Sequence, residues 1–217
     1  MKNRWSDNDA RATVARYRKQ GTDRDLARRL YTTHLLGREP ALVRHGGGNT
    51  SVKTVMTDVL GEDIGVLRIK GSGHDMATIG ASGMPAVRLG PLRRLMALKS
   101  LDDPAMATAQ RAHLLDGTAP TPSVEFLLHA FLPHTFIDHT HADAILALTN
   151  QPNGKALCER VFGGRAVVVP YVMSGFALAM KTARAVAAHP EAEGAILLNH
   201  GIFTFGATAE ESYGRMI

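Results

Sequence analysis

The 217-residue sequence has almost none of the features that mark a secreted or membrane-spanning protein. Cys158 is its single cysteine, so no disulfide can form within the chain. No apolar run approaches the length of about 18 residues that a transmembrane helix requires. Residues 1–20 are polar and lack the apolar segment of a signal peptide. Together these absences predict a cytoplasmic protein that does not engage a membrane.

Charge of one sign is not concentrated anywhere in the sequence. The 25 Lys and Arg residues exceed the 20 Asp and Glu residues, but no block of five basic residues occurs. Since no basic stretch is interleaved with aromatics, a nucleic-acid partner is not expected. A diffuse net charge of +5 is compatible with a small anionic substrate. Hydrophobic residues make up 45% of the chain, enough for the core of an ordinary globular protein.

Helical and strand patterns alternate along the chain, which is typical of the α/β class. Helices are predicted at residues 8–20, 23–37, 91–98, 104–115, 143–149, 155–162 and 176–188. Strands are predicted at residues 66–70, 166–171, 194–201 and 202–206. The last two follow each other directly, so we expect a hairpin and a mixed or antiparallel sheet. Thr208 and Glu211 have the spacing of a capping box that opens a final helix.

Two glycine-rich turns stand beside predicted strands. Gly46, Gly47 and Gly48 precede a polar segment that starts at Asn49, and a second turn spans residues 71–73. Either turn could be a simple tight loop, or its backbone N–H groups could bind an oxyanion with Asn49 as an additional donor. No long strand precedes the first turn and no helix follows it, which argues against a dinucleotide site.

The segment Asp138–Asp143 contains two histidines, His139 and His141, separated by one residue. Side chains at that spacing on a strand point to the same face and could supply the first two ligands of a metal. His200 lies at the end of an apolar strand far downstream and is a candidate third ligand. Structural histidines are the alternative interpretation, and His129 and His134 are interpreted only as core or loop histidines.

A short helix is predicted to begin after Ser123, a favourable N-cap residue. Glu125 then lies in the first turn of that helix. Its carboxylate could simply complement the helix dipole, or it could be directed at the site from the helix end.

Five phrases occur in a fixed order along the chain. They are Gly-Gly-Gly-Asn-Thr-Ser-Val at 46–52, Lys-Gly-Ser-Gly at 70–73, Pro-Ser-Val-Glu at 122–125, His-Thr-His at 139–141 and Asn-His-Gly at 199–201. This combination resembles the class II aldolase/adducin family from about residue 25 to the end. The resemblance extends to the N-terminal aldolase domain of bifunctional rhamnulose-1-phosphate aldolase/short-chain dehydrogenase proteins.

The resemblance implies a fold. We expect residues 1–217 to form a single α/β domain, truncated at its C-terminal end. Its architecture would be a three-layer α/β/α arrangement with a central, mostly antiparallel sheet and the metal at one sheet edge. By the same resemblance the protein would be a homo-oligomer, specifically a tetramer.

The resemblance also implies the site. His139, His141 and His200 would bind Zn²⁺ or another divalent metal, and Glu125 would be the catalytic acid/base. This role calls for a pKa of Glu125 nearer neutrality than that of a free glutamate. Phosphate would be bound by Gly48, Asn49, Gly73 and Ser123.

The implied reaction is the cleavage of a ketose 1-phosphate of the rhamnulose or fuculose type. Its products would be dihydroxyacetone phosphate and an aldehyde such as lactaldehyde. Two alternatives remain open on the same fold: a pentulose-phosphate 4-epimerase and a non-catalytic, adducin-like binding module.

Some positions depart from the family pattern. Gly46 and Val124 stand where the family has hydroxyl side chains, and Lys53, Lys70 or Ser72 could compensate for them. Tyr171 is a candidate second proton donor. His45 and His74 are candidates for substrate contact.

Overall fold

A computed structural model describes residues 1–44 and 46–217 of the chain. Its centre is a seven-stranded sheet in the order β3-β2-β1-β4-β7-β6-β5. The strands are β1 Asn49–Thr57, β2 Asp63–Ile69, β3 Ala86–Arg88, β4 Phe136–Thr140, β5 Ala166–Val169, β6 Gly194–Leu197 and β7 Gly201–Gly206. Only the outer pair β5 and β6 is parallel. The predicted α/β class and mostly antiparallel sheet are therefore confirmed.

Helices cover both faces of the sheet. They are α1 Asp7–Arg18, α2 Arg24–Gly37, α3 Leu89–Arg94, α4 Asp103–Ala112, α5 Phe126–Phe131, α6 Asp143–Thr149, α7 Gly154–Phe162, α8 Phe176–Ala187 and α9 Ala209–Met216. Helices α3, α4, α5 and α8 contribute to one apolar cluster, and the remaining helices pack against the other face. This arrangement is the expected three-layer α/β/α architecture. Within the described ranges, no helix has both the length and the apolar character needed to cross a membrane.

The alternation of side chains along β4 divides the two faces. Ile137 belongs to the cluster beneath α5 and α8, whereas Phe136 belongs to the cluster beneath α2. His139 shares the face of Ile137, and Asp138 points to the opposite face, where it meets Arg29 of α2. All five residues of β4 are buried. The histidine of this strand is thus directed toward α5, the helix that follows Glu125.

The strand register brings three separate parts of the chain together at one end of β4. Asn49 of β1 lies opposite His139, and His139 lies opposite Phe203 of β7. Because β4 is the fourth of seven strands, this point is in the middle of the sheet. The position expected for the metal thus lies at the ends of central strands and not beside an outer strand of the sheet.

A tight turn between β6 and β7 places His200 at the same end of the sheet. The two strands pair as an antiparallel hairpin, as the sequence predicted. Asn199 is the one non-glycine residue of the described chain with a positive φ, at +56°. Asparagine tolerates this left-handed conformation better than most residues, which allows the short turn to close.

Local capping signals had mixed outcomes. Thr208 caps α9 as predicted, since its Oγ1 accepts a bond of 3.1 Å from the N–H of Glu211, whereas Oε2 of Glu211 accepts from the N–H of Ala207 at 2.7 Å and not from that of Thr208. The prediction that Ser123 caps α5 is wrong, because that helix begins at Phe126. The N–H of Ser123 donates to the carbonyl of Lys70, and Pro122 bridges to Gly71. This pairing with the β2 end holds the chain extended up to Ser123, and a turn closed by the N–H of Phe126 and the carbonyl of Ser123 then leads into α5.

Candidate metal centre

Three imidazoles converge at the end of β4. One ring nitrogen from each of His139, His141 and His200 lies within 4.8 Å of the other two. His139 is fully buried, His200 is partly exposed and His141 is exposed. The sequence expected these three residues to lie close together, and the structure does bring them together. The exposed side at His141 would leave an ion held by these nitrogens accessible to a substrate.

The hydrogen bonding of His139 fits a metal ligand. Its Nδ1–H donates to the carbonyl of Ile202 at 3.0 Å, which leaves the lone pair of Nε2 directed at the other histidines. Burial lowers the pKa of His139 to about 4, so the ring is neutral and able to coordinate. Nε2 of His139 lies 3.0 Å from Nε2 of His141. Zinc–nitrogen bonds of about 2.0–2.1 Å place two tetrahedral ligands roughly 3.3 Å apart, so the spacing of these two nitrogens fits such an ion.

Two glycines allow the backbone to pack closely around the histidines. A Cβ atom on Gly201 would lie 2.5 Å from the carbonyl oxygen of Thr140 and 3.1 Å from Cε1 of His139. A Cβ atom on Gly48 would lie 2.6 Å from the carbonyl oxygen of His139. Both separations are too short for a side chain, so β1, β4 and β7 can meet here only with glycine at these positions.

Glu125 lies against the histidine cluster. Its Oε2 is 3.2 Å from Nε2 of His139, and its Oε1 is 3.2 Å from Nε2 of His200. The side chain is only 7% exposed. A buried carboxylate in contact with two of the three imidazoles is placed to exchange a proton with a molecule bound at the cluster.

The pKa of Glu125 is set by opposing effects. Burial raises this pKa and is the largest single influence, but His139, His200 and a bond from Asn49 together hold it below its usual value. The expectation of a pKa nearer neutrality is therefore wrong. The carboxylate is ionised at neutral pH, which suits a base more directly than an acid.

Asn49 and Ser123 lie beside Glu125. Nδ2 of Asn49 donates to Oε2 of Glu125 at 2.8 Å and to Oγ of Ser123 at 3.0 Å. Both donor hydrogens of the amide are therefore used within the protein. The role of these residues as phosphate ligands stays a prediction. Gly73, with φ +77°, lies in an exposed turn beyond β2.

Lys70 connects the two glycine-rich turns. It is 3% exposed, and its Nζ donates to the carbonyl of Gly46 at 3.1 Å. Burial lowers the pKa of Lys70, although Asp75 opposes this effect. By contrast, Nζ of Lys53 donates to the carbonyl of His134, near the opposite end of β4. Of the two lysines considered, Lys70 is thus the one located at the glycine turns.

The remaining candidates lie elsewhere or cannot be placed. Tyr171 is 57% exposed on the loop after β5. The ring of His74 lies near Gly71 and Gly83 in the second turn. His45 falls outside the described residues.

Sequence reasoning missed two residues behind Asn49. Nε2 of His129 lies 2.5 Å from Oδ1 of Asn49, and Nδ1 lies 2.7 Å from Oγ of Ser51. The spacing of these residues in the sequence could have indicated them. His129 follows Glu125 by one helical turn, and Ser51 follows Asn49 by two strand positions, so each pair shares a face.

Comparison with known proteins gives one family. Residues 28–217 match the family model described as the class II aldolase and adducin N-terminal domain. Over 188 residues, the chain is 40% identical to the uncharacterized oxidoreductase YuxG of Bacillus subtilis. This match covers 87% of the chain but only 27% of that protein, so the chain spans about a quarter of the length of this curated relative.

Solved structures share the fold. The N-terminal class II aldolase domain of a conserved protein from Thermoplasma acidophilum is 36% identical, with a TM-score of 0.87. That match covers 99% of this chain and 93% of the other. The L-fuculose-1-phosphate aldolase from Thermus thermophilus is 20% identical, with a TM-score of 0.56 and coverage of 88% and 89%. At that identity the likeness concerns the fold alone.

Proposed function

Because the chain belongs to the class II aldolase and adducin family, we propose that it is a metal-dependent aldolase acting on a ketose 1-phosphate. The substrate would be of the rhamnulose or fuculose type, and the products would be dihydroxyacetone phosphate and an aldehyde such as lactaldehyde. The observation that carries the proposal is the ionised, buried carboxylate of Glu125 within 3.2 Å of two imidazoles of the histidine cluster.

His139, His141 and His200 would hold the metal, with Zn²⁺ as the first candidate. A divalent ion at these nitrogens supplies a Lewis acid that polarises the substrate ketone. Glu125 would then act as the base and the acid of the reaction. It would take up the proton of the C4 hydroxyl as the bond between C3 and C4 breaks, so that C4 becomes the aldehyde carbon, and return that proton to C3 of the three-carbon product. Asn49 orients this carboxylate through the bond of 2.8 Å.

We propose that the substrate phosphate binds between the two glycine-rich turns. Lys70 supports this placement because it is 3% exposed and, among the described residues, its ammonium forms no ion pair and donates one hydrogen bond, to the carbonyl of Gly46. Asp75 offsets the effect of burial on Lys70 only in part, so an anion beside the ammonium would compensate the rest of its charge. Gly48, Gly73 and Ser123 would add donors near the same place, and fixing the phosphate would orient the ketone.

Two other activities would use the same residues differently. A pentulose-phosphate 4-epimerase would break and remake the same bond, and product analysis would show an epimer without free aldehyde. An adducin-like binding module would need no metal. The burial of Glu125 beside His139 and His200 favours an enzyme, because burying a carboxylate costs folding free energy without contributing to a binding surface.

The remaining properties are proposals on the resemblance. We propose a homo-oligomer, specifically a tetramer, in the cytoplasm, with a sugar phosphate as its small-molecule partner. We also propose that residues 1–217 are one domain of a longer bifunctional protein, which fits the match to a quarter of a longer relative.

The test is metal analysis followed by a cleavage assay. Purified protein should contain about one divalent ion per chain, and the His139→Ala/His141→Ala double variant should contain none. Rhamnulose 1-phosphate and fuculose 1-phosphate should then give dihydroxyacetone phosphate and lactaldehyde with the loaded protein only. Absence of metal from the wild-type protein after zinc addition would contradict the proposal, and so would a loaded protein that releases no aldehyde.

A further inference from the structure

A line of hydrogen bonds runs from β1 through α5 to the catalytic carboxylate. Oγ of Ser51 lies 2.7 Å from Nδ1 of His129, and Nε2 of His129 lies 2.5 Å from Oδ1 of Asn49. Nδ2 of Asn49 is 2.8 Å from Oε2 of Glu125. All four side chains are buried, with Ser51 and His129 at 0% exposure. Groups buried in this way must be matched donor to acceptor.

The direction of donation along this line of hydrogen bonds follows from the Glu125 carboxylate at its end. An ionised carboxylate only accepts hydrogen bonds, so Asn49 must present its amide nitrogen to Glu125. The amide oxygen of Asn49 then faces His129, whose Nε2 must carry the hydrogen. Nδ1 of His129 therefore accepts from the hydroxyl of Ser51. Each of these hydrogen bonds therefore has one possible donor and one possible acceptor.

We propose that His129 is a positioning residue for Glu125: its Nε2–H fixes the orientation of the Asn49 amide. If the amide turned over, its oxygen would face the Glu125 carboxylate across 2.8 Å, and the two acceptors would repel each other. The carboxylate would then leave the place from which it contacts His139 and His200. The consequence for turnover rests on the proposed function, whereas the orientation of the amide does not.

The packing of His129 supports this role. Phe203 meets the ring edge-on with the centroids 5.4 Å apart, and the same Phe203 stacks on His139 at 4.1 Å. One aromatic side chain thus holds both the histidine behind Asn49 and the histidine in the metal cluster. Burial also lowers the pKa of His129 well below its usual value, so the ring is neutral and carries one hydrogen.

The direct test is the tautomer of His129 in the metal-free protein. Nitrogen-15 NMR correlations distinguish a ring protonated at Nε2 from one protonated at Nδ1. We expect the Nε2–H form, together with slow exchange of the two Asn49 side-chain amide hydrogens. A ring protonated at Nδ1, or at both nitrogens, would overturn the proposal, whatever reaction the protein catalyses.

Matched variants test the consequence. His129→Leu keeps the volume but removes the donor, whereas His129→Gln can donate to Asn49 and accept from Ser51. We expect His129→Leu to lower kcat roughly 10- to 100-fold with KM and metal content nearly unchanged, and His129→Gln to recover most of the loss. A merely structural role would lower Tm in His129→Leu without this separation of kcat from KM, and that result would contradict the proposal.

Ser51→Ala covers the case in which His129→Leu does not fold. It removes the donor to Nδ1 at the other end of the line and leaves the packing in place. We expect part of the His129 population to shift to the Nδ1–H tautomer and kcat to fall in the same proportion. An unchanged tautomer combined with a wild-type kcat would count against the proposal. If wild-type protein cleaves no sugar phosphate, the proposed function fails, and the tautomer alone decides the positioning role.

Discussion

At the scale of single residues, Glu125 combines two properties that are rarely found together. It is almost fully buried, and yet it remains ionised because imidazoles and an amide surround it. A buried charge of this kind is retained only where its partners are fixed. A substitution that keeps the shape of this side chain but removes its charge can therefore separate the effect of the charge from the effect of the volume.

Glu125→Gln should leave metal bound and abolish cleavage. The glutamine keeps the shape and can still accept from Asn49, but it cannot take up a proton. We expect kcat to fall by at least about 100-fold. Steady-state kinetics beside metal analysis of the same preparation would measure this. Retention of full activity would remove Glu125 from the proton transfer.

Gly201→Ala should disturb the metal cluster itself. The new Cβ would meet the Thr140 carbonyl at 2.5 Å, so β7 must move away from β4 and carry His200 with it. We expect metal affinity to fall at least about tenfold and the free energy of unfolding to fall by about 1–3 kcal/mol. Gly65→Ala is the matched control, because a Cβ at that strand position has open space around it. Equal behaviour of the two variants in zinc titration and urea unfolding would refute the argument.

At the scale of elements, a buried ion pair joins α2 and β4 on the face opposite the site. Nη2 of Arg29 lies 2.5 Å from Oδ1 of Asp138, and both side chains are fully buried. Ser212 of α9 donates to the other carboxylate oxygen at 2.5 Å. Because Asp138 directly precedes His139, this contact fixes the strand that carries the first histidine.

Arg29→Met should destabilise the fold strongly, because it leaves the Asp138 carboxylate buried without its partner. The expected loss in the free energy of unfolding is about 3–5 kcal/mol. Arg29→Met combined with Asp138→Leu should recover much of it, since no charge then remains uncompensated. Chemical unfolding of the three proteins would measure the cycle. A double variant no more stable than the single one would show that the charge was not the cause.

The elements differ in how far the sequence could predict them. The β6–β7 hairpin and the N-cap at Thr208 were predictable, because their signals are local. The start of α5 was not, since Ser123 is a good capping residue whose backbone is instead paired with Lys70. The three histidines were predicted as a group from the sequence motifs that contain them. The line through Ser51 and His129 depends on which strand lies beneath α5, which no local signal reveals.

At the scale of the whole molecule, the burial of Lys53 makes the stability of the fold depend on pH. Lys53 is partly buried and donates to the carbonyl of His134 at 2.5 Å. Burial, assisted by Arg93, lowers the pKa of Lys53 to about 7 from an ordinary value of 10.5. Between these two values the unfolded chain holds more protons than the folded protein. The free energy of unfolding therefore rises with pH across this window.

Lys53→Met should remove this part of the pH dependence. Relative to the variant, wild-type protein should gain roughly 1–2 kcal/mol in the free energy of unfolding between about pH 7 and about pH 9. Urea unfolding of both proteins at these two values would measure the difference. Parallel pH profiles would show that the lysine is charged in the folded state throughout the window.

The central position of β4 has a consequence for the order in which the protein assembles. Its partners are β1, which begins at Asn49, and β7, which ends at Gly206, so both of its pairings join distant parts of the chain. Such pairings form slowly, because a long loop must close before the first contact is made. During synthesis, His139 and His141 leave the ribosome well before His200. The complete set of three nitrogens can thus exist only after β7 has joined the sheet, and a chain interrupted before that strand would lack one of the three candidate metal ligands.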